Sequence, residues 1–165
     1  MKKRLLGLAI GLSCLPTLSF ADMHFSVGTG YPFFVVPELS YGTADDQNRW
    51  YLNGKFGVTG GASLGFEHAL DGEKHHAIGV VGGALGIRNG HTFCKEGQNA
   101  GEAFVCIFAT GFDWEVVNGV GLTYSYNFKG LNNRGFRIRF EGGFGEGSRS
   151  HKSKGSGSVI LSYQF

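Results

Sequence analysis

In the stretch Ser158-Val159-Ile160-Leu161-Ser162-Tyr163-Gln164-Phe165, the residues Val159, Leu161, Tyr163 and Phe165 alternate with Ser158, Ser162 and Gln164. Two residues is the repeat of a β-strand, because successive side chains leave opposite faces of the pleat. One face of this strand is therefore apolar and aromatic and the other mostly polar. The apolar face runs to the final Phe165 with no polar tail after it.

The same alternation recurs upstream. Trp114, Val116, Val120, Leu122, Tyr124, Tyr126 and Phe128 oppose Glu115, Gly119, Gly121, Thr123, Ser125 and Asn127. Phe136, Ile138, Phe140 and Phe144 oppose Arg137, Arg139, Glu141 and Gly143. Nearer the start, Met23, Phe25, Val27 and Tyr31 oppose His24, Ser26, Gly28 and Gly30. Trp50, Leu52, Phe56 and Val58 oppose Tyr51, Asn53 and Lys55, and Ala62, Leu64, Phe66 and His68 oppose Ser63, Gly65 and Glu67. A second strand is expected near 35–41, after Pro32-Phe33-Phe34, and a fifth near 75–88, where Ile78-Gly79-Val80-Val81-Gly82-Gly83 fits either facing. Gly, Asp and Asn clusters at 43–48, 59–61, 71–73 and 129–133 mark turns between them. The tally is about eight strands of roughly ten residues, the length of a transmembrane β-strand.

Composition agrees. The chain has 29 Gly, 15 Phe and 3 Pro in 165 residues. Glycine at this level, without a collagen period, fits a barrel crowded with small inward residues. Lys2, Lys3 and Arg4, the apolar run 5–15, Pro16 and Ser19-Phe20-Ala21 read as a secretory leader cleaved before Asp22. Gly11 stands where a lipobox before Cys14 would want Leu or Val. The leader takes three basic residues with it, so 12 remain against 13 acids, and the basic balance of the whole chain disappears. Nothing in that balance calls for a nucleic-acid partner. The expected organisation is a leader at 1–21 and one barrel at 22–165.

An interior ringed by about eight strands is just filled by side chains. Trp and Phe rings would overfill it, whereas Gly, Ser and charged residues fit, so the aromatic face is expected to point outward. Only a closed sheet satisfies its backbone in lipid. The chain thus resembles the small bacterial outer-membrane barrels, such as outer-membrane protein X and the transmembrane domain of outer-membrane protein A. The likeness covers the whole mature chain and rests on pattern, length and the Tyr163-Gln164-Phe165 ending. It implies an all-β, eight-stranded antiparallel up-and-down transmembrane barrel with a plugged polar lumen. It also implies integral outer-membrane localisation and a monomer among lipid and lipopolysaccharide. Tyr163 and Phe165 would then be the signal read by the barrel-assembly machinery. The turns near 43–48, 70–74 and 129–134 would be periplasmic, and the longer loops 89–112 and 145–157 extracellular. Aromatic girdles would be formed by Tyr41, Trp50, Phe128, Tyr163 and Phe165 on one side, and by Tyr31, Phe33, Trp114 and Phe144 on the other.

Such a fold hosts structural proteins, adhesins, enzymes and channels. The expected role is structural or a surface interaction through the outer loops, with a lipid A-modifying acyl hydrolase or transferase as the alternative and a small channel third. Inward Glu38, Glu67, Glu115 and Glu141 facing Lys55, Arg137 and Arg139 predict a lumen salt-bridge network, since buried charges must be paired. His24 and Ser26, two apart on one strand face, are the catalytic candidates, with His91 and His151 in the outer loops. Cys94 and Cys106, an even pair bound for an oxidising compartment, predict a disulfide across the 89–112 loop. Its ring of about 13 residues would gain roughly 3 kcal/mol in the chain-entropy model. Phe93, Phe104, Ile107 and Phe108 would make that loop a surface for a ligand. The basic loop 146–155 suits phosphates of lipopolysaccharide or an acidic polymer. No cofactor and no metal set is expected.

Overall fold

A computed structural model describes residues 23–89 and 114–165. All regular structure among them is β: β1 (Met23–Tyr31), β2 (Phe33–Gly42), β3 (Asn48–Gly57), β4 (Gly61–Ala69), β5 (His76–Asn89), β6 (Trp114–Asn127), β7 (Gly135–Gly147) and β8 (Ser153–Gln164). Each strand pairs antiparallel with its sequence neighbours, and β1 pairs with β8, from Ser26↔Gln164 to Tyr31↔Val159. The eight strands therefore form one closed up-and-down barrel. The 43–47, 70–75 and 128–134 turns share one end with the start of β1, here the terminal end. The 58–60 and 148–152 turns and the 90–113 connection share the other, the loop end. Residues 1–22 and 90–113 lie outside the described residues, and with them the leader, His91, Cys94 and Cys106.

The expected facing holds along most strands. Phe25, Trp50, Leu64, Leu122, Phe140 and Leu161 are exposed, while Ser26, Tyr51, Asn53, Ser63, Thr123, Arg139 and Ser162 are buried. The open facing of β5 is settled as Ile78 and Val80 outward and Ala77 and Val81 inward. Near its loop end, β5 carries a bulge between Ala84 and Gly86. Bulges insert an unpaired residue and increase the local twist. Simple alternation fails beside it. Val116, expected outward on β6, is buried, as are Val117 and Leu85.

Other departures concern size and length. Phe33, expected in an outer girdle, begins β2 and is completely buried inside the barrel with Val36, Ile87 and Ile160; Trp114 packs against the same cluster. The inner face is expected to be small and polar, but Gly28, which pairs with Val36 and on which a Cβ would come 3.1 Å from Ile160 Cγ2, leaves room for this cluster. The 145–157 segment is mostly ladder rather than loop. Glu146↔Ser153 and Gly143↔Ser156 pair, leaving only 148–152 as the turn. Ladder bonds use backbone alone, so a Gly- and Ser-rich stretch makes them without any side-chain signal.

The interior is layered. Phe33, Val36, Ile87 and Ile160 form an apolar layer toward the loop end. Leu131, from the 128–134 turn, tucks in against Ala69 and Ala77 at the terminal end. Between them lie Tyr51, Val81 and Leu85, and the buried charges. In the 70–75 turn, Asp71 accepts the backbone N–H groups of His76 at 2.8 Å and His75 at 3.1 Å. Those donors, with His76 the larger contributor, hold its carboxyl below the usual range.

One glycine is dictated by this packing. Gly65 pairs directly with Tyr51 across β3 and β4, and the Tyr51 ring lies so close that a Cβ on Gly65 would stand 2.2 Å from its Cζ. The Arg139 guanidinium sits over the same ring, 3.8 Å from its centroid. Gly65→Ala should therefore cost about 1–3 kcal/mol by overpacking, read as a lower urea midpoint of the refolded barrel. In a Tyr51→Ala background the same change should cost almost nothing, because the clash is gone.

Candidate functional site

The most distinctive chemistry lies inside the barrel, where ionisable side chains from four strands converge. Arg139 on β7 donates Nη1 to Glu38 Oε2 at 2.5 Å and Nε to Glu67 Oε1 at 3.0 Å, joining carboxylates from β2 and β4. Glu67 also bonds Arg49 Nη2 and accepts from Thr123 Oγ1 at 3.2 Å. Arg49 Nη1 donates to the Leu131 carbonyl at 2.7 Å, tying the network to the turn that covers the terminal end. Arg137 lies 3.1 Å from Glu38 Oε1 and donates Nη2 to Ser26 Oγ at 3.1 Å. Lys55 pairs with Glu141, donates to the Ala84 carbonyl at 2.6 Å and stands over the Phe33 ring. All of these groups are 5 % exposed or less. Strand alternation places each there. They occupy inward positions on β2, β3, β4 and β7, and a narrow barrel brings opposite walls within reach of one another.

The expected network is thus found for Glu38, Lys55, Glu67, Arg137, Arg139 and Glu141, with two corrections. Glu115 does not join it. It sits at the loop end, where its carboxylate accepts the N–H groups of Arg149 at 3.1 Å and Ser150 at 2.8 Å, the Ser150 hydroxyl at 2.7 Å and the Lys154 ammonium. The reason is position along the strand, since Glu115 is one residue from the loop end of β6, too far up the barrel to meet the others. Its work is to fasten the 148–152 turn. Conversely, Arg49 belongs to the network and was missed. It precedes Trp50 just after a turn, where it reads as a turn residue, and only the inward parity of Tyr51, Asn53 and Lys55 carried back two positions would have found it.

Of the catalytic candidates among the described residues, His24 and Ser26 share β1 and His151 lies far from both. Ser26 is buried at the terminal end, with Arg137 as its hydrogen-bond donor, and His24 lies nearby on the same strand. His151 stands in the 148–152 turn at the opposite end, its Nδ1 2.6 Å from exposed Glu146. No group of three or more His, Cys, Asp or Glu side chains suited to a metal ion occurs among the described residues. Tyr163 packs edge-to-face on Phe136 and Phe165, and Phe165 stacks on Phe25, an aromatic row around the terminal end.

No protein-family model matches the chain, and no curated protein or solved structure matches it either. What the fold defines is a class, the closed eight-stranded antiparallel barrel.

A buried ion pair is weak evidence for stability, because desolvation offsets attraction, yet breaking one by removing a single partner costs about 3–5 kcal/mol. Lys55→Met should show a loss of that size in urea unfolding, since Glu141 keeps only Ser158 Oγ, at 3.1 Å, and a distant Arg139. The double change Lys55→Met/Glu141→Leu should recover most of it, because two well-packed apolar groups leave no orphaned charge.

Proposed function

We propose that the chain is an integral β-barrel of the bacterial outer membrane, plugged inside, with a structural or surface-interaction role exercised at its loop end. One observation carries this reading: the side chains are arranged inside out. Phe144 and Val120 are each 74 % exposed, whereas Arg49, Lys55 and Glu67 are 0 % exposed. The exposed apolar groups are not a local patch. Every strand contributes, from Phe25 and Leu39 through Leu52, Leu64, Val80, Leu122 and Phe140 to Leu161. Soluble monomers rarely expose contiguous apolar patches beyond a few hundred Å². Hydrocarbon is the solvent such a belt suits, and a closed ladder is what hydrocarbon requires of the backbone. Along β7 the outward row from Phe136 to Phe144 spans about 26 Å of strand, or about 20 Å at a tilt of ~40°. That approaches the apolar band of about 25 Å typical of bacterial barrels.

The layering supports the plug. Apolar clusters lie toward both ends, and the charges between them are paired across the barrel. In this reading the 43–47, 70–75 and 128–134 turns face the periplasm. The 90–113 connection and the 148–152 turn face outward, where a surface partner or lipopolysaccharide would meet them.

Three outcomes are expected. The expressed protein should fractionate with the outer membrane, resist alkaline carbonate, and migrate differently on gels before and after heating. Leu122→Arg should destabilise the barrel by about 2–4 kcal/mol in a bilayer; a water-soluble barrel would barely respond at so exposed a position, and that result would sink the membrane reading. The protein in planar bilayers should give no discrete conductance steps, and lipid A from the expressing host should keep its mass. A gained or lost acyl chain would replace this reading with an enzymatic one.

A further inference from the structure

The strand that closes the barrel is shorter than its partner. The β1 ladder on β8 ends at Tyr31↔Val159, where Pro32 follows, whereas β8 stays paired with β7 as far as Glu146↔Ser153. In an antiparallel ladder each residue directs its N–H and C=O to the same neighbour, and successive residues alternate. The carbonyls of Leu161 and Val159 face β1, where a Cβ on Gly28 or Gly30 would collide with them. Gly157 and Gly155 therefore face the same way, beyond the end of β1, where no described residue provides a ladder partner.

A cleft of about 670 Å³ lies along this edge, lined by Tyr31, Ile87, Arg88, Trp114 and residues 154–157. Arg88 donates Nε to the Gly155 carbonyl at 3.0 Å. Gly86 sits so close to Gly157 that a Cβ there would come within 2.5 Å of its carbonyl oxygen.

We propose that this cleft binds the phosphate of an anionic lipid in the leaflet at the loop end. The guanidinium is held in place through Nε, a bond that leaves its Nη groups for a ligand. That fork matches two phosphate oxygens. Beside it, the backbone N–H groups of Gly155 and Gly157 face beyond the end of β1, and backbone N–H groups on a concave edge are an established way to hold an anion. Tyr31, 70 % exposed, gives the lipid's apolar part a wall. Lys154 is neutralised by Glu115, so Arg88 carries the charge that selects the ligand. Addition of a peptide strand to the same edge is disfavoured, because Arg88 occupies the Gly155 carbonyl and Gly86 lies against that of Gly157. The inference rests on the membrane reading, since the exposed Tyr31 and Arg88 beside the cleft meet a lipid only in a bilayer.

Native mass spectrometry of the full mature barrel in zwitterionic detergent tests it, with phosphatidylglycerol, phosphatidylcholine of the same acyl chains, or inorganic phosphate added. One phosphatidylglycerol should be retained per barrel, about tenfold more strongly than phosphatidylcholine, as expected for one charge-assisted contact. Arg88→Gln should abolish that preference, while Lys152→Gln, exposed in the turn and outside the cleft, should keep it. Equal retention of the two lipids, or retention unchanged in Arg88→Gln, overturns the site. Displacement of the lipid by equimolar inorganic phosphate would assign the site to the free anion and overturn the lipid. Insertion into liposomes, followed by heat-dependent migration, is read separately for each variant. Failure of the wild type to insert overturns the membrane reading and this site together. Insertion of both proteins with lipid retention that does not depend on Arg88 overturns the site alone.

Discussion

Closure of the sheet between β1 and β8 is the constraint from which the remaining structure follows. Once Ser26↔Gln164 through Tyr31↔Val159 are paired, the ladder has no edges along that length, and the interior is fixed at the width of an eight-stranded ring. A ring that narrow holds side chains and little else. The Phe, Tyr and Trp rings carried by the eight strands cannot all fit inside it. Most of the large apolar residues are forced outward, and the inner face is left to Gly, Ser and charge.

That partition creates a second demand. Charges moved away from water must find partners, and strand geometry decides which can meet. Arg139 is central because it stands opposite both Glu38 and Glu67 and also covers Tyr51. Tyr51 in turn needs the space over Gly65. The interior is therefore one interlocked unit in which an ion network, an aromatic ring and a glycine each presuppose the others. Glu115 shows the same rule near the loop end, where the nearest donors are backbone N–H groups of a turn, so the carboxylate fastens that turn instead of joining the network.

The proposed membrane setting and the proposed lipid site both derive from where closure stops. Along most of the circumference the outward face is continuous and apolar, which asks only for hydrocarbon. At the loop end β1 finishes early and β8 continues, so backbone groups and Arg88 meet a cleft instead of a neighbouring strand. Polar backbone at membrane depth is tolerated where it lines a cavity or reaches the interface. The bulge in β5 contributes by bringing Gly86 and Arg88 over to the β8 edge.

The strands, their order and the facing of most of them are legible in the chain, because a period of two is a local property that each segment carries alone. Six members of the network are legible in the same way, from their inward parity. The remaining features depend on distance across the barrel and position along it, which no segment carries alone. Arg49 joins the network because the Leu131 turn folds in beneath it, and Glu115 leaves because it sits too near the loop end. Phe33 turns inward because short neighbours leave room, and the facing of β5 is fixed by its pairing with β4 and β6. The β8 edge could not be read at all from the chain, since it arises from the mismatch in length of two strands more than a hundred residues apart, joined only when the sheet closes.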